Sequence, residues 1–290
     1  MLCLQYFFDE LNINNTHLHK FLYIYNQILD MNFKKIIPVL AVFTAFFLMS
    51  WGVIGHRSIG KIAENHLSKK AKSAVFNLLG TESIPMVSTY ADEIRSDAKF
   101  DYTANWHYVN PPQGLNYTQF VKYLQTDTAA NVYNAIFKME KQLKNPKSSK
   151  VEKVFALKMI IHFVGDLHQP MHVSRAEDLG GNKIKLKFQR RESNLHSLWD
   201  SGLIEYNGFS FTEMATDLDH ISAVKIIEWQ NDDITKWLFE SYQISAKLYL
   251  EIEKNADLDY TYYPQHSEIY KERIQKAGIR LAGLLNKIYQ

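Results

Sequence analysis

Residues 150–172 read KVEKVFALKMIIHFVGDLHQPMH, and they set the architecture of this chain. The first part of this segment is strongly apolar, which predicts a buried helix that ends before Pro170. His162 and Asp166 are four residues apart and therefore project from one face of that helix. An aspartate among apolar side chains is costly to bury unless a cation lies beside it. The segment therefore predicts a core helix with a metal site built into it.

A second pair, His196 and Asp200, repeats the four-residue spacing within NLHSLWD, and His172 ends the first segment. Two such pairs with a further histidine are typical of a metal site that uses nitrogen and oxygen ligands. The spacing alone leaves another interpretation open, because histidines and aspartates four residues apart also pair on ordinary helix surfaces.

Three segments nearer the N-terminus carry polar residues that are ambiguous in isolation. Asp92 and Arg95 lie three residues apart in YADEIR, where a solvated ion pair is the ordinary interpretation. His56 closely follows Trp51 in WGVIGH, and one histidine after a tryptophan indicates little. His107 lies among aromatic residues in WHYVN, where a hydrogen-bonded core histidine is the simpler explanation.

From residue 51 onward the chain is predicted to be all-α. Apolar residues at helical spacing predict helices near 57–67, 69–79, 86–98, 117–125, 130–144, 150–168, 197–204, 231–254 and 265–288. Gly180 and Gly181 open an alternating run, KIKLKF, which predicts a short strand and a hairpin. The expected architecture is a single-domain helical bundle with one short β-hairpin over residues 51–290.

The segment before this domain has the parts of a secretory signal peptide. Residues 31–50 contain a basic start, an apolar run over 36–48 and a small final residue, Ser50. The apolar run is short for a membrane span, although an uncleaved anchor is the alternative. We therefore expect the domain to be exported, to the periplasm or to the medium.

Residues 1–30 precede a second methionine, Met31, and are interpreted as an upstream over-extension of the gene. Cleavage between Ser50 and Trp51 would release a domain with no stable membrane anchor. Cys3 is the only cysteine, so this domain would have no disulfide, and zinc sites in it must use nitrogen and oxygen donors. The net charge of +2 says little about partners, and no basic stripe indicates binding to a nucleic-acid duplex.

Together these segments resemble the zinc-dependent single-strand nucleases and 3′-nucleotidases of moulds, plants and bacteria, the S1/P1 nucleases. The motifs WGxxGH, ADExR, WHYVN, HFVGDLHQPMH, GGNK and NLHSLWD occur in that order from Trp51 to Asp200, with a looser similarity at 277–282. The resemblance implies the phospholipase C/single-strand nuclease fold. It also implies a hydrolase that cleaves single-stranded DNA and RNA to 5′-phosphate products and removes phosphate from 3′-nucleotides. We expect a monomer.

The resemblance further implies three zinc ions (Zn²⁺) per chain and assigns their ligands by position. One ion would be held by Asp92, His107, His162 and Asp166. Another would be held by the amine and carbonyl of Trp51, by His56 and by the shared Asp166. The remaining ion would be held by His172, His196 and Asp200. Donors of this kind suit zinc, although ligand softness does not exclude manganese or cobalt.

Roles around the metals are implied in the same way. Asp92 would orient the attacking water, and Arg95 would offset negative charge that develops on the phosphorus. The implied substrate-binding residues are Tyr108, Asn110, Leu179, Asn182 and Lys183. Tyr108 would stack on a base, with Leu179 as its apolar counterpart. Asn110 departs from the aspartate of the mould enzymes, so base preference could differ.

Two other functions stay open from the sequence. A zinc phospholipase C shares the fold and an N-terminal tryptophan ligand, but ADExR, GGNK and HSLWD favour the nuclease. A helical binding protein that has lost its metals is opposed by the complete set of ligand residues. Zinc content would separate the binding protein from either enzyme.

Overall fold

The computed structural model describes residues 52–290, so the expectations for the first fifty residues and for Trp51 lie outside it. The α-helices are α1 (Val53–Asn65), α2 (Lys69–Leu79), α3 (Ile84–Val87), α4 (Tyr90–Glu93), α5 (Tyr117–Thr126), α6 (Val132–Lys144), α7 (Lys150–Asp166), α8 (Leu195–Ser197), α9 (Leu203–Tyr206), α10 (Phe211–Leu218), α11 (Ala223–Asn231), α12 (Ile234–Lys254) and α13 (Tyr262–Ile288). Within residues 52–290, none of them combines the length and the apolar character that a membrane crossing requires.

Helix α7 forms the centre of the bundle, as the sequence predicts. At its start, the Ser149 hydroxyl accepts a hydrogen bond from the Glu152 N–H, and the Glu152 carboxylate accepts one from the Ser149 N–H (2.8 Å). This capping box satisfies two amides that would otherwise lack partners. Every residue from Ala156 to Asp166 is buried. Helices α1, α6 and α13 pack around α7, so its apolar side chains are covered on all sides.

The predicted hairpin is also present. Strands β1 (Lys185–Phe188) and β2 (Arg191–Asn194) pair antiparallel along their whole length, and Gln189 and Arg190 form the turn with positive φ. Strand β3 (Asp257–Leu258) adds in parallel to β1, which gives a sheet with the order β2-β1-β3. The sequence does not predict β3, because a strand of two residues has no alternation to detect.

The expected helix over 86–98 is wrong as a continuous element. The structure divides it into α3, α4 and a 3₁₀ turn over Ile94–Ser96, and a further 3₁₀ helix over Ala98–His107 follows. The Ser88 hydroxyl donates to the Pro85 carbonyl (2.7 Å), a side-chain bond that competes with helix propagation at this point. Helices α10 and α11 are absent from the sequence prediction. The predicted helix over 197–204 is likewise divided, into α8, a π-helical turn over Leu198–Gly202 and α9. The remaining predicted helices are confirmed, with ends shifted by four residues or fewer.

Helices α1 and α13 approach closely where Gly278 faces Ile62. A β-carbon added at Gly278 would lie 2.6 Å from the Ile62 Cβ and 3.2 Å from the Ile59 carbonyl oxygen. The first distance is shorter than packed atoms tolerate, and backbone is involved in the second, so neither contact can relax easily. Glycine is therefore needed where these two helices cross.

We expect Gly278→Ala to lower the free energy of unfolding by about 1–3 kcal/mol, because the added methyl forces α1 and α13 apart. Urea unfolding of wild type and variant measures this difference. Glu268→Ala is the control, since Glu268 lies on the same helix with its side chain 81% exposed, and its effect should stay within about 0.5 kcal/mol. Equal midpoints for wild type and Gly278→Ala would contradict the prediction.

Candidate metal centre

Histidine and aspartate side chains from distant parts of the chain converge around the C-terminal end of α7. Their donor atoms form three groups, and within each group these atoms lie within 4.8 Å of one another. The groups are Asp92, His107 and His162; His56, His162 and Asp166; and His172, His196 and Asp200. The structure thus brings together every predicted ligand that it describes.

Asp166 lies where the three groups meet. Its Oδ2 is 3.0 Å from His107 Nδ1 and 3.1 Å from His162 Nε2. Its Oδ1 is 3.5 Å from His56 Nε2 and 3.4 Å from His172 Nδ1. The residue is only 1% exposed, so its charge is not solvated by water. Because its two oxygens face different histidines, this carboxylate has the geometry of a bridging ligand.

Backbone carbonyls orient three of the histidines. The bonds run from His162 Nδ1 to the Ser88 carbonyl (2.7 Å), from His172 Nδ1 to the His107 carbonyl (2.9 Å) and from His196 Nδ1 to the Gly180 carbonyl (2.8 Å). A carbonyl can only accept, so it places the ring proton on Nδ1 and leaves the Nε2 lone pair available to a metal. The Nε2 of His172 is buried and has no hydrogen-bond partner among the described residues. The donor set therefore fits zinc.

The negative charge of the aspartates keeps protons bound to two of the histidines at this site. Burial lowers the pKa of His162, but the Asp166 and Asp92 carboxylates outweigh that effect and raise it to about 9. Burial likewise lowers the pKa of His172, yet Asp166 and Asp200 raise it to about 9. Burial favours the neutral form of Asp166, but the adjacent histidines keep its pKa well below the ordinary value. A metal ion that binds here must therefore displace protons from histidine.

The third group is built on a widened helical turn. Asp200 lies in a π-helical turn over Leu198–Gly202, where its oxygens are 3.4 Å from His172 Nε2 and 3.9 Å from His196 Nε2. Gln169 Nε2 donates to the Asp200 Oδ1 (3.0 Å) and orients the carboxylate. Sequence reasoning missed Gln169. It lies beyond the end of α7, where helical spacing no longer predicts side-chain direction.

Asp178 is a second residue that the sequence reasoning missed. Its Oδ1 accepts hydrogen bonds from the Gly181 N–H (2.7 Å) and from the Tyr249 hydroxyl (2.8 Å). It thereby holds the glycine loop whose carbonyl orients His196. At Gly180, where φ is +63°, an added β-carbon would lie 2.7 Å from a backbone carbonyl oxygen. The sequence signal was the GGNK motif, but only packing shows which carboxylate supports it.

Arg95 and Tyr108 lie at the edge of the metal groups. Arg95 Nη1 is 3.7 Å from the Asp92 Oδ1, so its charge lies beside a predicted ligand. Tyr108 is 37% exposed, and its hydroxyl donates to the Asn105 side chain (2.7 Å). Asn110 is half-buried two residues further on. These positions leave the Tyr108 ring accessible from solvent.

The remaining predicted substrate residues lie on the loop around Gly180, whose carbonyl accepts the hydrogen bond from the predicted ligand His196 (2.8 Å). Leu179 is 60% exposed and has a φ of 58°, a left-handed conformation that is unusual for leucine. Asn182 Nδ2 donates to the Leu179 carbonyl (2.8 Å), and Lys183 Nζ donates to the Glu177 carbonyl (3.3 Å). These side chains bond within their own loop, so substrate binding by them stays a prediction.

Gly165 leaves room for the His56 ring against α7. A β-carbon at Gly165 would lie 2.6 Å from His56 Nδ1 and 2.8 Å from its Cε1. The ring cannot simply withdraw, because it stacks on His162 with centroids 4.1 Å apart and planes at 9°. We expect Gly165→Ala to displace His56 and to weaken binding of one zinc ion about 10- to 100-fold.

Competition with a chelator of known affinity measures this change. Gly283→Ala is the matched control, because its β-carbon would meet Gln230 (2.8 Å) rather than a predicted ligand. It should affect stability and leave zinc affinity unchanged. Wild-type zinc affinity in Gly165→Ala would show that His56 is not held in the way described.

A family model described as S1/P1 nuclease matches residues 51–290. The chain is 29% identical over 281 residues to Endonuclease 2 of Arabidopsis thaliana, and the aligned region covers 88% of this chain and 96% of that protein. It is 27% identical over 289 residues to Nuclease S1 of Aspergillus oryzae, covering 88% and 98%. It is also 27% identical over 269 residues to Nuclease P1 of Penicillium citrinum, covering 82% and 98%.

Proposed function

Because this chain belongs to the S1/P1 nuclease family, we propose that it is an exported, zinc-dependent endonuclease for single-stranded DNA and RNA. The family and the named relatives make it a hydrolase of phosphodiester bonds. The finer proposal adds 5′-phosphate products and removal of phosphate from 3′-nucleotides. Its main support is the position of Asp166 between three groups of metal-ligating side chains. A phospholipase C is not favoured, since the matched relatives are named as nucleases.

We propose three zinc ions with the ligands expected from the sequence. The first would take Asp92, His107, His162 and Asp166, the second Trp51, His56 and Asp166, and the third His172, His196 and Asp200. Although Trp51 is outside the described residues, the Gly52 N–H donates to the Asp200 carbonyl (2.7 Å). This bond holds Gly52, the residue that follows the proposed ligand, against a residue of the metal centre.

Bound zinc would lower the pKa of water to supply hydroxide and would stabilise negative charge on phosphate. Asp92 would accept a hydrogen bond from the attacking water and so fix its direction. Arg95, whose guanidinium lies 3.7 Å from Asp92, would offset charge on the phosphoryl oxygens. These roles require the two side chains to lie close together. Asp92 lies on α4 and Arg95 on the 3₁₀ turn that follows it directly.

Preference for single strands has a physical basis in the burial of the ligands. Asp166 and His162 are 1% and 0% exposed, so the proposed metals would be recessed. A paired and stacked backbone cannot reach into such a recess, whereas a splayed nucleotide can. The exposed ring of Tyr108 would stack on its base, and stacking tolerates any sequence.

The domain organisation is part of the same proposal. Residues 31–50 would direct export and be cleaved before Trp51, and residues 1–30 would not belong to the translated protein. The mature chain, residues 51–290, would act as a monomer without a membrane anchor.

Cleavage of a single-stranded oligonucleotide tests the proposed reaction. Mature protein with a native Trp51 amine is incubated with the oligonucleotide, with and without chelator, and the products are weighed by mass spectrometry. We expect fragments that bear 5′-phosphate, which disappear on chelation and return with zinc. A folded, zinc-loaded protein that leaves the strand intact would reject the nuclease, and phospholipids would then be tested as substrates.

A further inference from the structure

A surface cavity of about 620 Å³ is lined in part by residues that neighbour proposed zinc ligands in the sequence. Two short elements contribute to both places. Helix α4 provides Tyr90 to the cavity and Asp92 to the metal groups, and the 3₁₀ helix that ends at His107 provides Trp106 to the cavity. The cavity therefore starts one or two residues from proposed zinc ligands.

Aromatic rings form much of the cavity wall. Phe100 and Phe155 stack with centroids 6.0 Å apart and planes at 11°, and Tyr90 meets Phe155 edge-on at 6.4 Å. Tyr102 packs against Trp106 at 5.4 Å and is 56% exposed. Trp106 is only 6% exposed, so Tyr102 provides the accessible flat surface at this concavity. An exposed aromatic ring of this kind is suited to stacking on a base.

Lysines lie directly beside these rings. Lys138 Nζ is 4.5 Å from the centre of the Trp106 ring, and Lys150 lines the rim. Lys158 is occupied, because its ammonium bonds to the Glu82 carboxylate (2.7 Å). Of the described residues, no carboxylate pairs with Lys138 or Lys150. The lining also includes Glu152, whose carboxylate accepts hydrogen bonds from Ser149. Lysines outnumber carboxylates in the lining, which favours an anionic occupant over an apolar peptide.

We propose that this cavity, the aromatic–lysine groove, binds a flanking nucleotide of the single-stranded substrate, with its base on the rings and its phosphate at Lys138 and Lys150. Residues between Tyr108 and the groove indicate how one strand would contact both. The Tyr108 hydroxyl bonds to Asn105, and Asn105 and the exposed Tyr102 lie on the same 3₁₀ helix. A strand whose cleaved nucleotide contacts Tyr108 would thus meet the groove next. This inference rests on the proposed nuclease function.

Charge reversal at the groove provides the test. Lys138→Glu/Lys150→Glu is compared with Lys141→Glu/Lys147→Glu, which makes the same change in net charge away from the groove. Each protein is assayed on a single-stranded 12-mer and on a 3′-nucleotide, which is too small to reach the groove. We expect the groove variant to raise KM for the 12-mer about ten-fold, with kcat and 3′-nucleotide hydrolysis unchanged. The control variant should leave all these values as in wild type.

Tyr102→Ala tests the stacking surface separately, with the exposed Tyr260→Ala as its control. It should raise KM for the 12-mer and leave hydrolysis of the 3′-nucleotide intact. An unchanged KM in both groove variants, or an equal loss on both substrates, would overturn the groove. If the wild-type protein cleaves neither substrate, the proposed function fails independently of the groove. Fluorescence anisotropy of a labelled 12-mer then still decides whether the groove variants bind the strand more weakly than wild type does.

Discussion

Asp166→Asn should reduce cleavage of single-stranded DNA by at least about 100- to 1,000-fold. Asparagine keeps one oxygen but replaces the other with an amide nitrogen, which cannot bind a cation. Either orientation of the amide therefore leaves His56 or His107 without the carboxylate oxygen that now lies 3.5 or 3.0 Å away. Since the same carboxylate is the proposed bridge, the binding of two zinc ions should be weakened together.

Zinc content by elemental analysis and initial rates on an oligonucleotide measure this effect. Asp219→Asn is the control, because it changes a carboxylate that pairs with His66 (2.6 Å) away from the metal groups. In the metal-free protein the pKa of His162, about 9 with Asp166 present, should fall in the variant because the largest raising influence is lost. Histidine NMR titration follows that shift. Full zinc content and wild-type cleavage in Asp166→Asn would refute the bridging role.

One additional residue in front of Trp51 should also remove most activity. The proposed ligand is a free α-amine, and an amide in its place has no lone pair to offer a metal. We expect loss of one zinc ion per chain and a rate about 100-fold lower. The bond from the Gly52 N–H to the Asp200 carbonyl (2.7 Å) supports this sensitivity, because it leaves little freedom for an extended start to move aside.

The comparison uses the mature chain with a native N-terminus and the same chain with glycine before Trp51. A glycine added after Gln290 is the matched control, since it lengthens the opposite end. N-terminal sequencing of the exported protein should begin at Trp51. Equal zinc content and equal rates with and without the N-terminal glycine would show that the amine is not a ligand.

The periodicity of apolar residues along the sequence was sufficient to predict the elements that bury a regularly spaced set of side chains. In α7, His162 and Asp166 share a face in any α-helix because residues four apart are neighbours. The apolar run of α7 specified that this helix is buried, and the predicted start at residue 150 agrees with the capping box that Ser149 forms in the structure. The hairpin followed in the same way from alternation after two glycines. Motif order, through the family resemblance, then assigned the ligands that the structure brings together.

Contacts between distant segments were beyond the sequence pattern. The carbonyl of Ser88 orients His162, Gln169 orients Asp200, and Gly165 makes space for His56. Each depends on which surfaces of α7 and its neighbours meet and on turns where helical spacing ends. The aromatic–lysine groove likewise exists only because α4, α6, α7 and a 3₁₀ helix pack side by side. Periodicity specifies which face of an element is buried, but the partner on that face is selected by close packing in the folded chain.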